Sequence, residues 1–270
     1  MTINNKLINE KNYLNLIHKI LNHGVLRKEE RTGVGAYSKF GVCIHFNLAN
    51  SFPLFTHRQI FYKGVIGELI AFINGYTNIK DFNKLGCNYW NDFADNNGDL
   101  GPIYGYQWNN YNGQGVNQLE NLIKEAKINP QSRRLYVTAW NPNQIEEMRL
   151  PPCFHGFQIF IHEKKLNMLV HMRSSDVMLG LPSDVLFHAL LMLVISNEMR
   201  LFPEKLTFKL GEGQIYSKHF EYAKKIKYFE PHNPAKVILN ADSTINNLKP
   251  ENFMIIDYKH NAPYKLPIND

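Results

Sequence analysis

Near the N-terminus apolar residues return every three or four positions. Tyr13, Leu14, Ile17, Ile20 and Leu21 fall on one side of a helix read over "INEKNYLNLIHKILNHG", and the pattern stops at Gly24. The period then changes to two: "YSKFGVCIHFNL" alternates as a half-buried strand does. "IFYKGVIGELIAFING" reads as a second helix ending at Gly75. "NYWNDFADNNGDLGPIYGYQW" is rich in Asn, Asp and Gly and is expected to be loop, yet it holds many aromatic rings. Loops that expose aromatic and polar groups together often line ligand sites. Further on, "RRLYVTAWN", "HGFQIFIHEKKLNMLVHMRS" and "KLTFKLGEGQIYS" read as strands, with "EKK" as a hairpin turn. Between the last two, "SDVLFHALLMLVISNEM" is a strongly apolar helix with Ser183 as its candidate N-cap. No repeat, low-complexity tract or linker divides residues 1–270. The pattern predicts an α+β fold: a single domain with a large mixed β-sheet packed by long helices.

Composition supports a substantial core, with 44% hydrophobic and 13% aromatic residues in 270. The polar start "MTINNKLINEKNY" carries no signal-like apolar core, so a cytoplasmic protein is expected. The three cysteines, 43, 87 and 153, are odd in number and widely spaced, which suits free thiols in a reducing compartment. No CxxC or HExxH pairing occurs, so no zinc site is expected. A net charge of +6 invites a nucleic-acid reading, but the basic residues are scattered and cluster only as "KK" and "RR" pairs. Nucleic acid is therefore not the expected partner. Arginines converging on one small phosphate would raise the count equally well.

Chemistry concentrates at "LPPCFHGFQ". Cys153 there has a bland reading as a small residue at the mouth of a strand. Pro151 and Pro152, however, stiffen the backbone directly before it, which helps hold a reactive atom in place. Arg173 closes a strand in "MRSSDVMLGLPSD", and an arginine near a thiol favours the nucleophilic thiolate. The separation of twenty residues does not by itself bring the two together.

Five runs, "RTGVG", "GDLGPIYGYQW", "SRRLYVTAWN", "LPPC" and "MRSSDVMLGLP", follow one another in the order and spacing of thymidylate synthases, and "APYKLPIND" resembles that family's C-terminal tail. The resemblance covers nearly the whole chain. It implies a homodimer built on a large mixed sheet. It also implies transfer of a one-carbon unit from 5,10-methylenetetrahydrofolate, as co-substrate, to C5 of a pyrimidine nucleotide, without a metal.

Carried onto this chain, the resemblance matches Cys153 to the nucleophile that adds to C6 of the pyrimidine. C5 is a poor nucleophile until a thiolate at C6 creates an enolate-like or enamine-like centre. Arg31, Arg173 and Ser174, with Arg133 and Arg134 of the partner subunit, match the clamp on the 5′-phosphate; guanidinium forks suit a dianion. Their field would also favour the thiolate. Glu68, in "IGELIAF", matches a proton-relaying glutamate. Tyr104 matches a tyrosine near the nucleophile, and Tyr216 one that contacts the sugar hydroxyl. Gln158 and Ser174 fall on the nucleotide side, and Trp90, Asp176, Gly180 and the tail fall around folate.

The departures from the family pattern carry the sharper expectation. Asp184 stands where these enzymes normally have asparagine. A primary amide reads uracil, donating to O4 and accepting from N3–H. Cytosine reverses both groups, and a neutral carboxylic acid matches that reversal. Unmatched buried polar groups cost roughly 1–3 kcal/mol each, enough to invert a preference. The related deoxycytidylate hydroxymethylases carry aspartate at this place; the bland reading is an acid in a helix's first turn. Phe154 replaces the usual histidine after the nucleophile, and His155, one residue late on a strand, faces the other way. Gln214 stands for a sugar-contacting histidine and still offers a hydrogen bond. Gln59 and Lys63 replace arginines, Ala71 replaces a tryptophan and leaves room, and the chain ends in polar "PIND". The expectation is a folate-dependent C5 transferase favouring dCMP, giving 5-hydroxymethyl-dCMP or its methyl counterpart. Its rivals are a thymidylate synthase acting on dUMP and a silent homologue that binds nucleotide or RNA.

Overall fold

The first helix forms where the apolar spacing puts it. In α1 (Ile8–His23), Tyr13, Leu14, Leu16, Ile17 and Ile20 are buried, and the Gly24 N–H closes the last turn on the Ile20 carbonyl at 2.7 Å. The protein is described here by a computed structural model covering residues 7–28, 35–226, 228–262 and 266.

Six strands follow: β1 (Val25–Lys28), β2 (Gly35–Asn47), β3 (Tyr136–Thr138), β4 (Phe154–His162), β5 (Lys165–Asp176) and β6 (Phe202–Tyr216). They lie in the order β1-β2-β6-β5-β4-β3. All neighbours are antiparallel except β5 and β6, which run parallel, so the sheet is mixed as expected. The hairpin at "EKK" is a two-residue turn. Glu163 and Lys164 both take left-handed φ (48° and 59°), the pairing whose twist matches that of the strands it joins. A parallel pair needs a crossover, and α6 (Leu181–Met199) supplies it. Its thirteen buried residues lie all round the helix, as in a helix covered on every side.

Helix α2 (Tyr62–Ile73) packs on α6, and α3 (Ile79–Lys84), α4 (Tyr104–Asn109), α5 (Gln118–Ile128) and α7 (Phe220–Ile226) complete the helical cover. A small hairpin, β7 (Lys236–Leu239) with β8 (Phe253–Ile256), lies apart from the main sheet. The core is aromatic where α2, α4, α6 and β4 meet: Phe72, Trp108, Phe154 and Phe187 pack with ring centroids 5.3–6.5 Å apart.

Three local expectations change. The tract from Asn88 to Trp108 is not all loop, since α4 forms at its end. Tyr104, Gln107 and Trp108 bury one face of it, and a Cβ on Gly105 would stand 2.7 Å from the Phe72 backbone, so only glycine lets α4 lie on α2. Tertiary packing here outweighs weak helix propensity. Ser183 is not the N-cap of α6. Gly180 holds that position, Pro182 sits in the first turn, and the Ser183 N–H bonds the Gly180 carbonyl at 2.9 Å. Arg133 and Arg134 precede the third strand instead of lying within it, because β3 starts at Tyr136.

Candidate active site

Cys153 sits half-buried immediately before β4, between the two prolines and a bulge at Phe154–Gly156. Its N–H donates to the Tyr104 hydroxyl at 2.8 Å, and its carbonyl accepts from the Arg173 N–H at 2.9 Å. The backbone under the sulfur is thus held from α4 on one side and β5 on the other. Arg173 curls its guanidinium around the Pro-Pro step: Nε donates to the Pro152 carbonyl and Nη2 to the Pro151 carbonyl, both at 2.9 Å. Nη1 reaches the Ser174 hydroxyl at 3.2 Å, and Nη2 lies 3.9 Å from the Cys153 sulfur. The prolines therefore offer carbonyls that aim the arginine as well as stiffening the chain.

The thiol itself corrects one expectation. Burial pushes Cys153 up from the usual thiol range; Arg173 pulls it down, and the nearby Asp184 pushes it up again. Burial wins, so in this chain alone the neutral thiol is favoured over the thiolate.

Glu68 stands on α2 with both carboxyl oxygens engaged: Tyr89 Oη donates to Oε2 at 2.8 Å and Trp90 Nε1 to Oε1 at 2.7 Å. Burial raises its carboxyl to about 7, and the two donors pull the other way. A carboxyl at that value both gives and takes a proton near neutrality. The close approach that makes this possible falls at Gly67, where a Cβ would collide with the Leu85 carbonyl. Tyr104 is 3% exposed, stacks on Phe72 at 4.9 Å and lies 4.3 Å from the Phe154 ring.

Asp184 lies half-buried in the first turn of α6. Its carboxyl makes no hydrogen bond to another described residue. Burial, then the charges of Glu68 and Asp176, hold it well above the usual carboxylate range, which favours its protonated form. One turn later His188 donates Nδ1–H to the Asp184 carbonyl at 2.8 Å and sets its ring edge-on against Phe154 at 4.6 Å. Burial lowers this imidazole to about 4, so it is neutral. Phe154 faces the core, while His155 stands on the opposite sheet face with His171 and Trp140, as the strand alternation requires.

The turn from β5 to α6 is tied from four directions. Asp176 Oδ1 accepts from the N–H groups of Met178 (2.9 Å) and Leu179 (3.0 Å), and His219 stands 3.7 Å from the same oxygen. The Val177 carbonyl accepts from Tyr13 Oη at 2.9 Å, and the Val177 N–H donates to the Gln214 carbonyl at 2.8 Å. Buried Arg58 donates Nη2 to the Met178 and Leu179 carbonyls at 3.3 and 3.1 Å. A Cβ on Gly180 would meet nothing closer than 3.4 Å, so that residue leaves space beside Asp176 and Asp184.

The structure thus brings together Cys153, Tyr104, Arg173, Ser174, Glu68, Trp90, Asp176, Gly180 and Asp184. Gln214 and Tyr216 lie on β6 and line, with Arg27, Lys28, Ser38 and Glu212, a small open cleft. Gln214 pairs with Asp176 across the parallel ladder and so adjoins the cluster. Gln158 is not brought in. It pairs with Leu169, four residues from Arg173, or ~13 Å at ~3.3 Å per residue. Arg133 and Arg134 are exposed at the edge strand's start, and Arg134 meets Glu125 at 3.4 Å; within one chain they do not reach Cys153. Arg31 and the terminal Asn269 and Asp270 lie outside the described residues. Ala71 is fully buried, so the room it leaves opens into the core and not to solvent. Among the described residues no group of His, Cys, Asp and Glu is arranged to hold a metal ion.

Sequence reading missed Tyr89 and Arg58. Tyr89 lay in plain view in "NYW", beside the tryptophan that the resemblance did pick out. Arg58 had no local signal, because the carbonyls it holds lie 120 residues away.

A mixed sheet with a crossover helix, a thiol beside an arginine and a carboxyl that titrates near neutrality define an enzyme of the nucleophile-and-proton-relay class. A model of the family described as Thymidylate synthase matches residues 11–269. The chain belongs to the thymidylate synthase family. It is accordingly a one-carbon transferase: folate-dependent transfer to C5 of a pyrimidine nucleotide, with methylenetetrahydrofolate as co-substrate, is its chemistry.

Proposed function

We propose that this enzyme acts on dCMP in preference to dUMP and releases 5-hydroxymethyl-dCMP. The observation that carries the base preference is the Asp184 carboxyl, uncommitted to any described residue and pushed toward its protonated form by burial and by two neighbouring acids. A neutral acid offers one O–H donor and one carbonyl acceptor. Cytosine presents an acceptor at N3 and a donor at N4, whereas uracil presents the reverse pair, so this acid fits cytosine and leaves uracil mismatched.

In this reading Cys153 loses its proton, and its sulfur bonds to C6 while the pair from the C5–C6 double bond makes C5 nucleophilic. Methylenetetrahydrofolate would supply the one-carbon unit at C5; with tetrahydrofolate and the C5 proton lost, water adds to the exocyclic methylene and the returning electron pair expels the Cys153 thiolate from C6. Glu68 exchanges protons with base and water, a role supported by its value near neutrality. Arg173 and Ser174, Arg31, and Arg133 and Arg134 of the partner subunit bind the 5′-phosphate. The positive field of the gathered arginines offsets the burial that holds the thiol neutral in the lone chain. Gln214 and Tyr216 contact the sugar. Trp90, Asp176 and Gly180 form the folate side; Asp176 Oδ2, which no described residue bonds, suits a ring N–H, and the space at Gly180 suits a flat ring. The sharing of arginines makes the working enzyme a homodimer. We place it in the cytoplasm; among the described residues no helix is long and apolar enough to cross a membrane. The product reading rests on two polar residues, Asn269 and Asp270, whose side chains disfavour exclusion of water from the base.

Purified protein with methylenetetrahydrofolate and either dCMP or dUMP tests both parts. Mass analysis should show dCMP gaining a hydroxymethyl group with tetrahydrofolate left over. A stoichiometric rise in near-ultraviolet absorbance, the mark of dihydrofolate, would mean that hydride completes the reaction. Asp184→Asn should move the dCMP:dUMP preference toward dUMP by at least ~10-fold, about 1.4 kcal/mol. Turnover of dUMP alone by the parent enzyme would return the protein to ordinary thymidylate synthesis.

A further inference from the structure

We propose that Tyr89 is a positioning residue of this active site, fixing the Glu68 carboxyl through one oxygen while Trp90 fixes it through the other. The inference rests on the reading of Glu68 as the proton relay. It starts from the two bonds already described, 2.8 Å to Oε2 and 2.7 Å to Oε1. Both donors are neutral, and no described cation pairs with Glu68. Each carboxylate oxygen accepts more than one hydrogen bond, so a lone pair on each remains for substrate or water. Two donors on two oxygens set the plane of the carboxyl, which a single donor would leave free to turn.

Tyr89 is itself held in place. A Cβ on Gly64 would lie 3.0 Å from its ring, and the chain just before it packs so closely on α2 that Gly67 admits no side chain. Glycine at these two places on one helix is what lets a tyrosine approach Glu68. Burial raises its phenol well above 10, so it remains a donor at every working pH. A fixed donor to a carboxylate favours the ionised form and opposes the burial that raises Glu68. Without the hydroxyl, the carboxyl would hold its proton to higher pH and would turn about the bond to Trp90.

Tyr89→Phe removes the hydroxyl and keeps the ring. The Glu68 titration midpoint, followed by the carbon-13 shift of its carboxyl carbon and assigned with Glu68→Gln, should rise by roughly one pH unit. That measurement needs no turnover, so it stands apart from the proposed reaction. The acid limb of the kcat/KM profile with the preferred nucleotide should rise by the same amount, and activity should recover above pH 8. The pH dependence of Cys153 alkylation should stay put, which locates the change at the carboxyl. Trp90→Phe should shift the midpoint in the same direction and serves as the second variant if Tyr89→Phe does not fold. An unmoved midpoint, or an equal loss of activity at every pH, would reduce Tyr89 to a packing residue. A midpoint that rises while the activity profile stays fixed would also overturn the proposal, and would trace the failure to the role given to Glu68.

Discussion

Cys153 and Arg173 were legible as residues because motifs carry them, but their balance was not. An arginine 3.9 Å from a thiol reads as activation until the burial of the same thiol is weighed. Cys153→Ser should cut turnover by several orders of magnitude while nucleotide binding, measured calorimetrically, stays largely intact. Arg173→Ala should raise the nucleotide KM strongly, since a charge-assisted bond is worth roughly 1.5–3 kcal/mol. It should also slow Cys153 alkylation, because it removes a cation that lowers this thiol. Glu68 makes a stability prediction whose sign is fixed by its raised value. The unfolded carboxyl titrates near 4.5 and the folded one at about 7, so its contribution favours the fold at low pH and is lost as pH rises between them. The melting temperature should fall across that window, and Glu68→Gln should flatten the fall. A Glu68→Gln profile parallel to the parent's would contradict the assignment.

At the scale of elements, regular periodicity was legible and imposed conformation was not. Helix α1, the long strands β2, β4, β5 and β6 and the apolar run of α6 follow from spacing alone, whereas the short strands β1, β7 and β8 were not read. The start of α6 does not, because Asp176, Tyr13, Arg58 and the Gln214 carbonyl shape the turn before it and set its N-cap at Gly180. Helix α4 depends on what lies beneath Gly105, and no window of sequence contains that. Helix α5 was readable and passed over: Leu119, Leu122, Ile123 and Ala126 keep the helical spacing, and the Asn117 side chain caps the first turn. Arg58→Ala should leave two carbonyls of the β5–α6 turn without their donor, at a cost of roughly 1–3 kcal/mol. The same change should raise the folate KM more than the nucleotide KM, because Asp176 and Gly180 belong to that turn. Equal rises in both would place the effect in general loosening.

The whole molecule explains why some expected site residues stand apart. Arg133 and Arg134 lie beside the edge strand β3, three strands from β6, where Gln214 and Tyr216 lie, with β4 and β5 between β3 and β6. A chain that uses all of them on one nucleotide needs a second copy. Mixing inactive Cys153→Ser with a variant carrying Arg133→Ala and Arg134→Ala should therefore restore activity. Heterodimers would hold one site with an intact thiol and intact arginines, giving up to about one quarter of the parent activity after random reassortment. Failure to complement, with dimers present by sedimentation, would show that the arginines act elsewhere. The scatter of positive charge that argued against nucleic acid is consistent with cations that gather only on assembly.

The parallel ladder between β5 and β6 has a consequence for how the chain comes into being. Strand β6 also pairs with β2, and that register joins Ala36 to Tyr216, 180 residues apart. During synthesis the N-terminal strands leave the ribosome with one edge bare, and they stay so until the last long strand emerges. Such distant pairing makes for slow folding, because the loop must close before any contact rewards it. Nascent chains halted before Phe202 should bind holdase chaperones and resist compaction, whereas chains released beyond Tyr216 should collapse into protease-resistant form. The strand that carries Gln214 and Tyr216 is thus also the one whose arrival commits the chain to its fold.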